Sequence, residues 1–283
     1  MLRQSAVAGR FYPADAKELG AEVAACLAKQ LSHAVDLAGR EVSAVMVPHA
    51  GYVFSGGIAG MTLSQVPLPN RVVVIGPNHT GRGAPFSLWS GGAWRTPFGD
   101  VPIDELSRAA LTATNAGFTP DTVAHIREHS LEVLLPFFQV LNPSVRILPI
   151  TVGGGSLANL RDAGAALAGV VLAAKSEGER VLLVVSSDMS HYLPHEKAVA
   201  CDTLALEALA CLDAEKFYAT VRENAISMCG VLPMTMALFA LNRLGTTRAD
   251  VTAYATSGQT GRAFDADMDK VVGYAGVIFS SFV

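Results

Sequence analysis

Five stretches of the chain are apolar for the length of a strand and show little alternation: Val42–Pro48 (VSAVMVP), Arg71–Gly76 (RVVVIG), Val145–Thr151 (VRILPIT), Arg180–Ser186 (RVLLVVS) and Val272–Phe279 (VGYAGVIF). A strand with one face in water alternates apolar and polar residues, so unbroken apolar runs predict strands covered on both faces. Longer stretches with helical spacing lie between them, near Ile103–Asn115, Leu131–Leu141, Leu157–Lys175, His195–Leu212 and Val231–Leu244. A further helix is expected over about Ala16–Ser32, opened by Asp15-Ala16-Lys17-Glu18, whose spacing resembles a capping box. Strands alternating with helices predict an α/β fold: a central, mostly parallel or mixed sheet with helices on both faces. Gly153-Gly154-Gly155-Ser156 reads as a strand-to-helix turn, and Gly91–Asp100 as a loop or hairpin turn. No repeat, low-complexity tract or long linker interrupts the pattern, so residues 1–283 are expected to form a single domain.

Composition narrows this picture. The chain is 51% hydrophobic and only 16% charged, which excludes a disordered chain. Its longest charge-free runs, such as Ala163–Ala174, fall short of the roughly 20 apolar residues of a membrane span, so none is expected. Met1–Ser5 leads into Arg10-Phe11-Tyr12-Pro13 without an apolar stretch, and the four cysteines show no paired spacing. A soluble, cytoplasmic protein without a signal peptide is expected. A net charge of −4 and the lack of a basic run give no reason to expect nucleic acid. Neither a phosphate-binding G-x-x-x-x-G-K-[ST] nor a G-x-G-x-x-G after a strand occurs, so no nucleotide cofactor is expected. No G-x-S-x-G nucleophile elbow occurs either.

The reactive residues cluster at strand ends, where open α/β sheets bind ligands. Val42–Pro48 runs into His49, Arg71–Gly76 into His79, and Arg180–Ser186 into Asp188 and His191. If these strands are parallel, their loops share one rim. A single such histidine is most simply a structural residue; three strand ends each delivering a His, or an Asp with a His, favour a site. His125-x-x-Glu128-His129 matches the inverted zinc-peptidase string, a chemistry that needs a helix. Ser130 reads instead as a helix N-cap, leaving His125 and His129 in the preceding loop, with His129 a member of the rim site. Cys229 stands just before the Val231–Leu244 pattern, where a helix N-terminus favours a thiolate. A thiolate with two imidazoles suits Cu, Zn or Fe(II). Spacing alone weighs that reading equally with a small buried hydrophobe, which is the expectation for Cys26, Cys201 and Cys211.

Several motifs in order resemble those of the MEMO family, whose prokaryotic members are called AmmeMemoRadiSam system protein B. They are Ala8-Gly9-Arg10-Phe11-Tyr12-Pro13, Pro48-His49-Ala50-Gly51-Tyr52, Gly76-Pro77-Asn78-His79, Glu128-His129-Ser130-Leu131-Glu132, Ser186-Ser187-Asp188-Met189-Ser190-His191-Tyr192 and Cys229-Gly230. The resemblance runs almost end to end. It implies a fold similar to the class III extradiol dioxygenases, which are non-haem Fe(II) enzymes, and a metal site with His49, His79 and Cys229 as ligands. Asp188 and His191 would stand beside the metal, His129 would complete the pocket, and Glu132 would support it from one helical turn further on. His191 or His129 would move protons while Asp188 orients an imidazole.

Cys229 departs from the two-histidine, one-carboxylate set of those enzymes, which puts catechol cleavage in doubt and leaves Fe(II) or Cu as the expected metal. The implied function is a mononuclear non-haem metal protein with dioxygenase-like oxidoreductase chemistry on an unidentified small molecule. A non-catalytic peptide- or anion-binding module and a metal-dependent hydrolase are the alternatives. The family name also implies a pathway shared with AMMECR1-type and radical-SAM proteins.

Overall fold

A computed structural model describes residues 1–29, 34–261 and 267–282. The chain opens with β1 (Leu2–Arg3), α1 (Ala16–Leu27), β2 (Arg40–Val47), α2 (Gly57–Leu63) and β3 (Arg71–Pro77). There follow β4 (Phe86–Leu88), β5 (Ala93–Thr96), β6 (Gly99–Pro102), α3 (Glu105–Thr112), β7 (Phe118–Pro120), α4 (Leu135–Leu141) and β8 (Arg146–Val152). The second half runs α5 (Leu157–Ser176), β9 (Val181–Ser186), β10 (His191–Leu193), α6 (His195–Ala210), α7 (Ala214–Glu223), α8 (Val231–Arg243), β11 (Arg248–Thr256), α9 (Ser257–Thr260) and β12 (Val271–Phe282).

All five expected strands form and lie in one sheet, ordered β10-β12-β2-β9-β3-β8-β4-β7, with β11 also paired to β12. β2, β9, β3 and β8 are mutually parallel, and antiparallel β12 and β4 flank them, so the sheet is mixed. Alternate residues explain the unbroken apolar runs. Ala44, Met46, Val73, Ile75, Leu183 and Val185 pack into a core with α5, α7 and α8. Val45, Val47, Val72, Val74, Leu182 and Val184 pack into another with α1, α4 and both tryptophans. Each face buries its own half of every strand, which leaves no polar half to alternate.

Local signals account for most boundaries. Asp15 caps α1 by accepting from the Lys17 and Glu18 amides. That helix ends at Leu27, and residues 30–32 of the expected span lie outside the described residues. Gly91–Asp100 becomes the β5–β6 hairpin, with Gly99 at φ 110°. The segment after Ser130 begins as a 3₁₀ turn at Glu132–Leu134 before α4, and Ser130 does not cap it: its hydroxyl donates to the Pro77 carbonyl. Short α2 was not expected because Gly56, Gly57 and Gly60 dilute its helical pattern. Packing demands Gly60, where a Cβ would lie 2.4 Å from the Cys26 carbonyl oxygen in α1. Among the described residues α5 alone is long and apolar enough by composition to cross a membrane. It lies on the sheet beside α8, with Leu160, Ala163, Gly164, Leu167 and Ala168 buried, which is the composition of a core helix.

Candidate metal centre

The parallel pairing brings the three predicted strand ends together. β9 lies between β2 and β3, so its continuation, Ser186-Ser187-Asp188, emerges between His49 and His79. Cys229 arrives from the far side of the sequence, one residue before the Gly230 that opens α8. Gly230 permits this approach: a Cβ there would lie 2.3 Å from the Ser187 Cβ, and its amide instead donates to the Ser187 hydroxyl over 3.0 Å. One donor atom each from His49, His79 and Cys229 falls within 4.8 Å of the others.

Hydrogen bonds fix which nitrogen each imidazole presents. Ser186 donates its hydroxyl to the Ser130 carbonyl over 2.5 Å, so toward His49 Nδ1, 2.7 Å away, it acts as acceptor. His49 therefore carries hydrogen on Nδ1, and its bare Nε2 lies 3.3 Å from the Cys229 sulfur. His79 is held the same way, with Nδ1 2.8 Å from Glu128 Oε1. Burial pushes the Glu128 carboxyl up, but the His79 hydrogen bond and charge and the Ser130 amide outweigh it and hold the pKa at about 2. An ionised carboxylate only accepts, so His79 carries hydrogen on Nδ1 and has Nε2 left for another partner. Histidine ligands oriented by a carboxylate or hydroxyl on their second nitrogen are the usual arrangement in metal proteins.

Burial governs the electrostatics of the pocket. It lowers the His49 imidazole well below its ordinary range, helped by His79, His129 and His191, so His49 is a neutral donor. It raises Asp188 to about 6, against the opposing hydrogen bond from the His49 amide. It also pushes the Cys229 thiol up, reinforced by the charge of Asp188. Of the two readings weighed for Cys229, the free thiolate at a helix N-terminus is therefore disfavoured by desolvation.

The remaining predicted residues divide. His129 stacks on His79 with ring centroids 4.7 Å apart, meets His49 edge-on at 5.6 Å and is covered by Phe11 at 4.8 Å. Asp188 lies on the same side of His49 as Cys229, its Oδ2 3.9 Å from Nε2. His191 stands at the half-exposed edge, its Nδ1 2.9 Å from the Ser227 carbonyl. His125 does not join the rim: it is wholly buried, with Nε2 3.1 Å from the Ser87 carbonyl.

Glu132 does not support the metal pocket. It accepts from Arg3 Nη1 at 2.6 Å, the Ala6 and Val7 amides at 2.8 and 3.0 Å, and the Tyr12 hydroxyl at 2.7 Å. Glu128 and Ser186 are the partners of His79 and His49 that the strand-end pattern does not point to. Glu128 stood in the H-x-x-E-H string, which was the available signal; nothing local marked Ser186 as the partner of His49.

Comparison with known proteins gives a consistent picture. The family model described as Memo-like protein matches residues 3–278. A MEMO1 family protein of Aquifex aeolicus is 39% identical over 280 residues, covering 98% of this chain and 99% of that one. MEMO1 family proteins of Methanopyrus kandleri and Archaeoglobus fulgidus are 36% and 37% identical; the alignments cover 99% and 98% of this chain and 99% of each relative. Among solved structures, the uncharacterized protein JW3007 of Escherichia coli K12 superposes with a TM-score of 0.57 at 15% identity, over 84% of this chain and 99% of that one. That likeness is one of fold.

Proposed function

The chain belongs to the Memo-like protein family, and on that premise we propose that it is a mononuclear metal protein whose ligands are His49, His79 and Cys229. One observation carries the reading: His49 Nε2, left bare because Ser186 engages Nδ1, lies 3.3 Å from the Cys229 sulfur, and one donor atom of His79 falls within 4.8 Å of both. In a tetrahedral site with bonds of about 2.0–2.3 Å, donor atoms stand roughly 3.5 Å apart, so the cluster needs only slight contraction. Two nitrogens and a sulfur favour Fe(II) or Cu over a hard cation such as Mg²⁺.

When bound, such a metal supplies open positions for a small molecule or O₂ and one-electron chemistry. The chain's own residues supply the rest. Asp188, with a pKa near 6, exchanges a proton close to neutrality within 3.9 Å of His49. His129 lies over the ring of His79, sheltered by Phe11, and handles protons on that side. His191 presents its Nε2 from the solvent edge, because Nδ1 is held by Ser227. An oxidoreductase with dioxygenase-like chemistry is the activity we assign, without catechol cleavage, because Cys229 replaces the carboxylate. An anion-binding module fits less well, since buried Asp188 and Glu128 would repel its ligand.

Elemental analysis of purified protein tests the assignment. Wild type is expected to carry iron or copper up to one equivalent, and His49→Ala and Cys229→Ser to lose it. Equal metal in all three proteins overturns the ligand set.

A further inference from the structure

The loops around the candidate metal centre show one sign of charge to solvent. They comprise residues 7–13, 48–57, 76–84, 121–130, 186–194 and 226–230, and their only basic residues besides histidine are Arg10, Arg82 and Arg127. All three are exposed, and their side chains make no hydrogen bond or ion pair among the described residues. The same loops hold three acids, and none offers a free carboxylate to solvent. Asp188 and Glu128 are buried. Asp121 accepts from the Ala84 and Val123 amides and the Ser87 hydroxyl. This reverses the balance of the whole chain, where 25 acidic residues outnumber 21 Lys and Arg.

Each arginine stands on a firmly built turn next to a residue of the site. The Arg10 and Phe11 amides donate to the Val7 carbonyl at 3.0 and 2.9 Å, and the Phe11 carbonyl accepts from the Tyr52 amide at 2.8 Å. That turn lays Phe11 on His129, and Arg10 precedes Phe11. Burial lowers the His129 imidazole and the charge of Arg10 lowers it further, so the field of this guanidinium reaches into the pocket. Arg10 also borders a cleft with Asp15 and Glu18 but pairs with neither. Arg82 follows His79 in a loop tied by Asn78, which accepts from the Thr80 and Gly81 amides and donates to the Arg82 carbonyl at 2.6 Å. Arg127 directly precedes Glu128 and His129.

We propose that the substrate of this centre is a small molecule with an anionic group, a carboxylate or a phosphate, which Arg10, Arg82 and Arg127 hold at the mouth while its other end reaches the metal. The proposal rests on the reading of His49, His79 and Cys229 as ligands. A guanidinium stays charged at any working pH and presents a planar fork of N–H donors that matches either anion. The floor of the pocket sets the direction of entry. Asp188 and Glu128 repel an anion there, so the charged end stops among the arginines and the uncharged end goes forward. A cationic mouth on an acidic protein also steers anions in from solution, an effect that salt weakens.

The test uses the full chain loaded with Fe(II) or Cu, its uptake measured by elemental analysis. Three pyridines serve as probes in calorimetric titrations: neutral 4-methylpyridine, 4-pyridylacetate and 4-pyridylmethylphosphonate. Each offers the metal the same ring nitrogen, and they differ in the group at the far end. An anionic probe is expected to bind about 10-fold more tightly than the neutral one, with the advantage shrinking as sodium chloride is raised. Combined Arg10→Gln, Arg82→Gln and Arg127→Gln should erase that advantage while metal content and 4-methylpyridine binding stay at wild-type levels. The three side chains are exposed and unpaired, so the fold is expected to survive their loss. The larger gain, for the carboxylate or the phosphonate, identifies which anion the mouth is built for. Anionic probes that bind loaded wild type no better than 4-methylpyridine, or an advantage that the triple variant keeps, overturn the anionic substrate and leave the metal reading standing. Wild type that takes up neither metal overturns both readings.

Discussion

Two buried carboxylates four residues apart, Glu132 and Glu128, do opposite work. Glu132 is closed off: Arg3, two backbone amides and the Tyr12 hydroxyl saturate it, which fastens the N-terminal segment against the start of α4. Glu128 accepts three backbone amides but gives its remaining capacity to His79, which belongs to the cluster with His49 and Cys229. The difference lies in the partner. A guanidinium is a permanent cation that ends the chain of interactions, whereas an imidazole passes orientation through to its far nitrogen. One carboxylate holds the fold and the other aims His79.

The sharpest way to break that contrast is Glu132→Gln. It strands the buried Arg3 charge and is expected to cost about 3–5 kcal/mol in urea unfolding, while metal bound per folded molecule stays near the wild-type level. A loss within experimental error would mean the closed region contributes nothing special.

The next largest effect is in acid, at His125 in the same closed region. Burial lowers its imidazole to about 4. The folded state therefore stays neutral while the unfolded state gains a proton below about pH 6.5, so this group withdraws stability as pH falls from about 6.5 to about 4, up to roughly 3 kcal/mol. His125→Gln removes that dependence. The stability difference between variant and wild type should shrink by about 2 kcal/mol from about pH 7 to about pH 4.5. A difference independent of pH would show that His125 is not held neutral.

Glu128→Gln should read out the other way, with metal affinity down about 10- to 100-fold in a competition titration and a smaller change in unfolding free energy than Glu132→Gln. If the two substitutions moved stability and affinity alike, the carboxylates would not differ in kind. Ser186→Ala is the mildest probe. It removes the acceptor for His49 Nδ1 and should cost about 1 kcal/mol, with a several-fold fall in metal affinity; unchanged affinity would mean that backbone position alone orients His49.

Much of the scaffold was readable along the chain. The five apolar runs became strands because a sheet covered on both faces leaves no polar half-strand. His49, His79 and Asp188 were found from strand ends, a rule of local sequence plus topology. Cys229 resisted, since nothing within its own segment places it beside residues 180 positions away. Elements such as α2 were hidden because its glycines serve close packing against α1 rather than helix propensity.

By itself, then, the sequence determined the layered α/β architecture, the rim where His49, His79 and Asp188 gather and the family whose motifs it carries, because periodicity and strand-end chemistry are local. Tertiary structure alone decided that Glu128 rather than Glu132 orients His79, that Ser186 and Glu128 engage the Nδ1 atoms of His49 and His79, that His129 joins the rim while His125 stays in the core, and that burial raises the Cys229 thiol. Each of those choices depends on which groups share a buried space and exclude water from it, and residues distant in sequence set that.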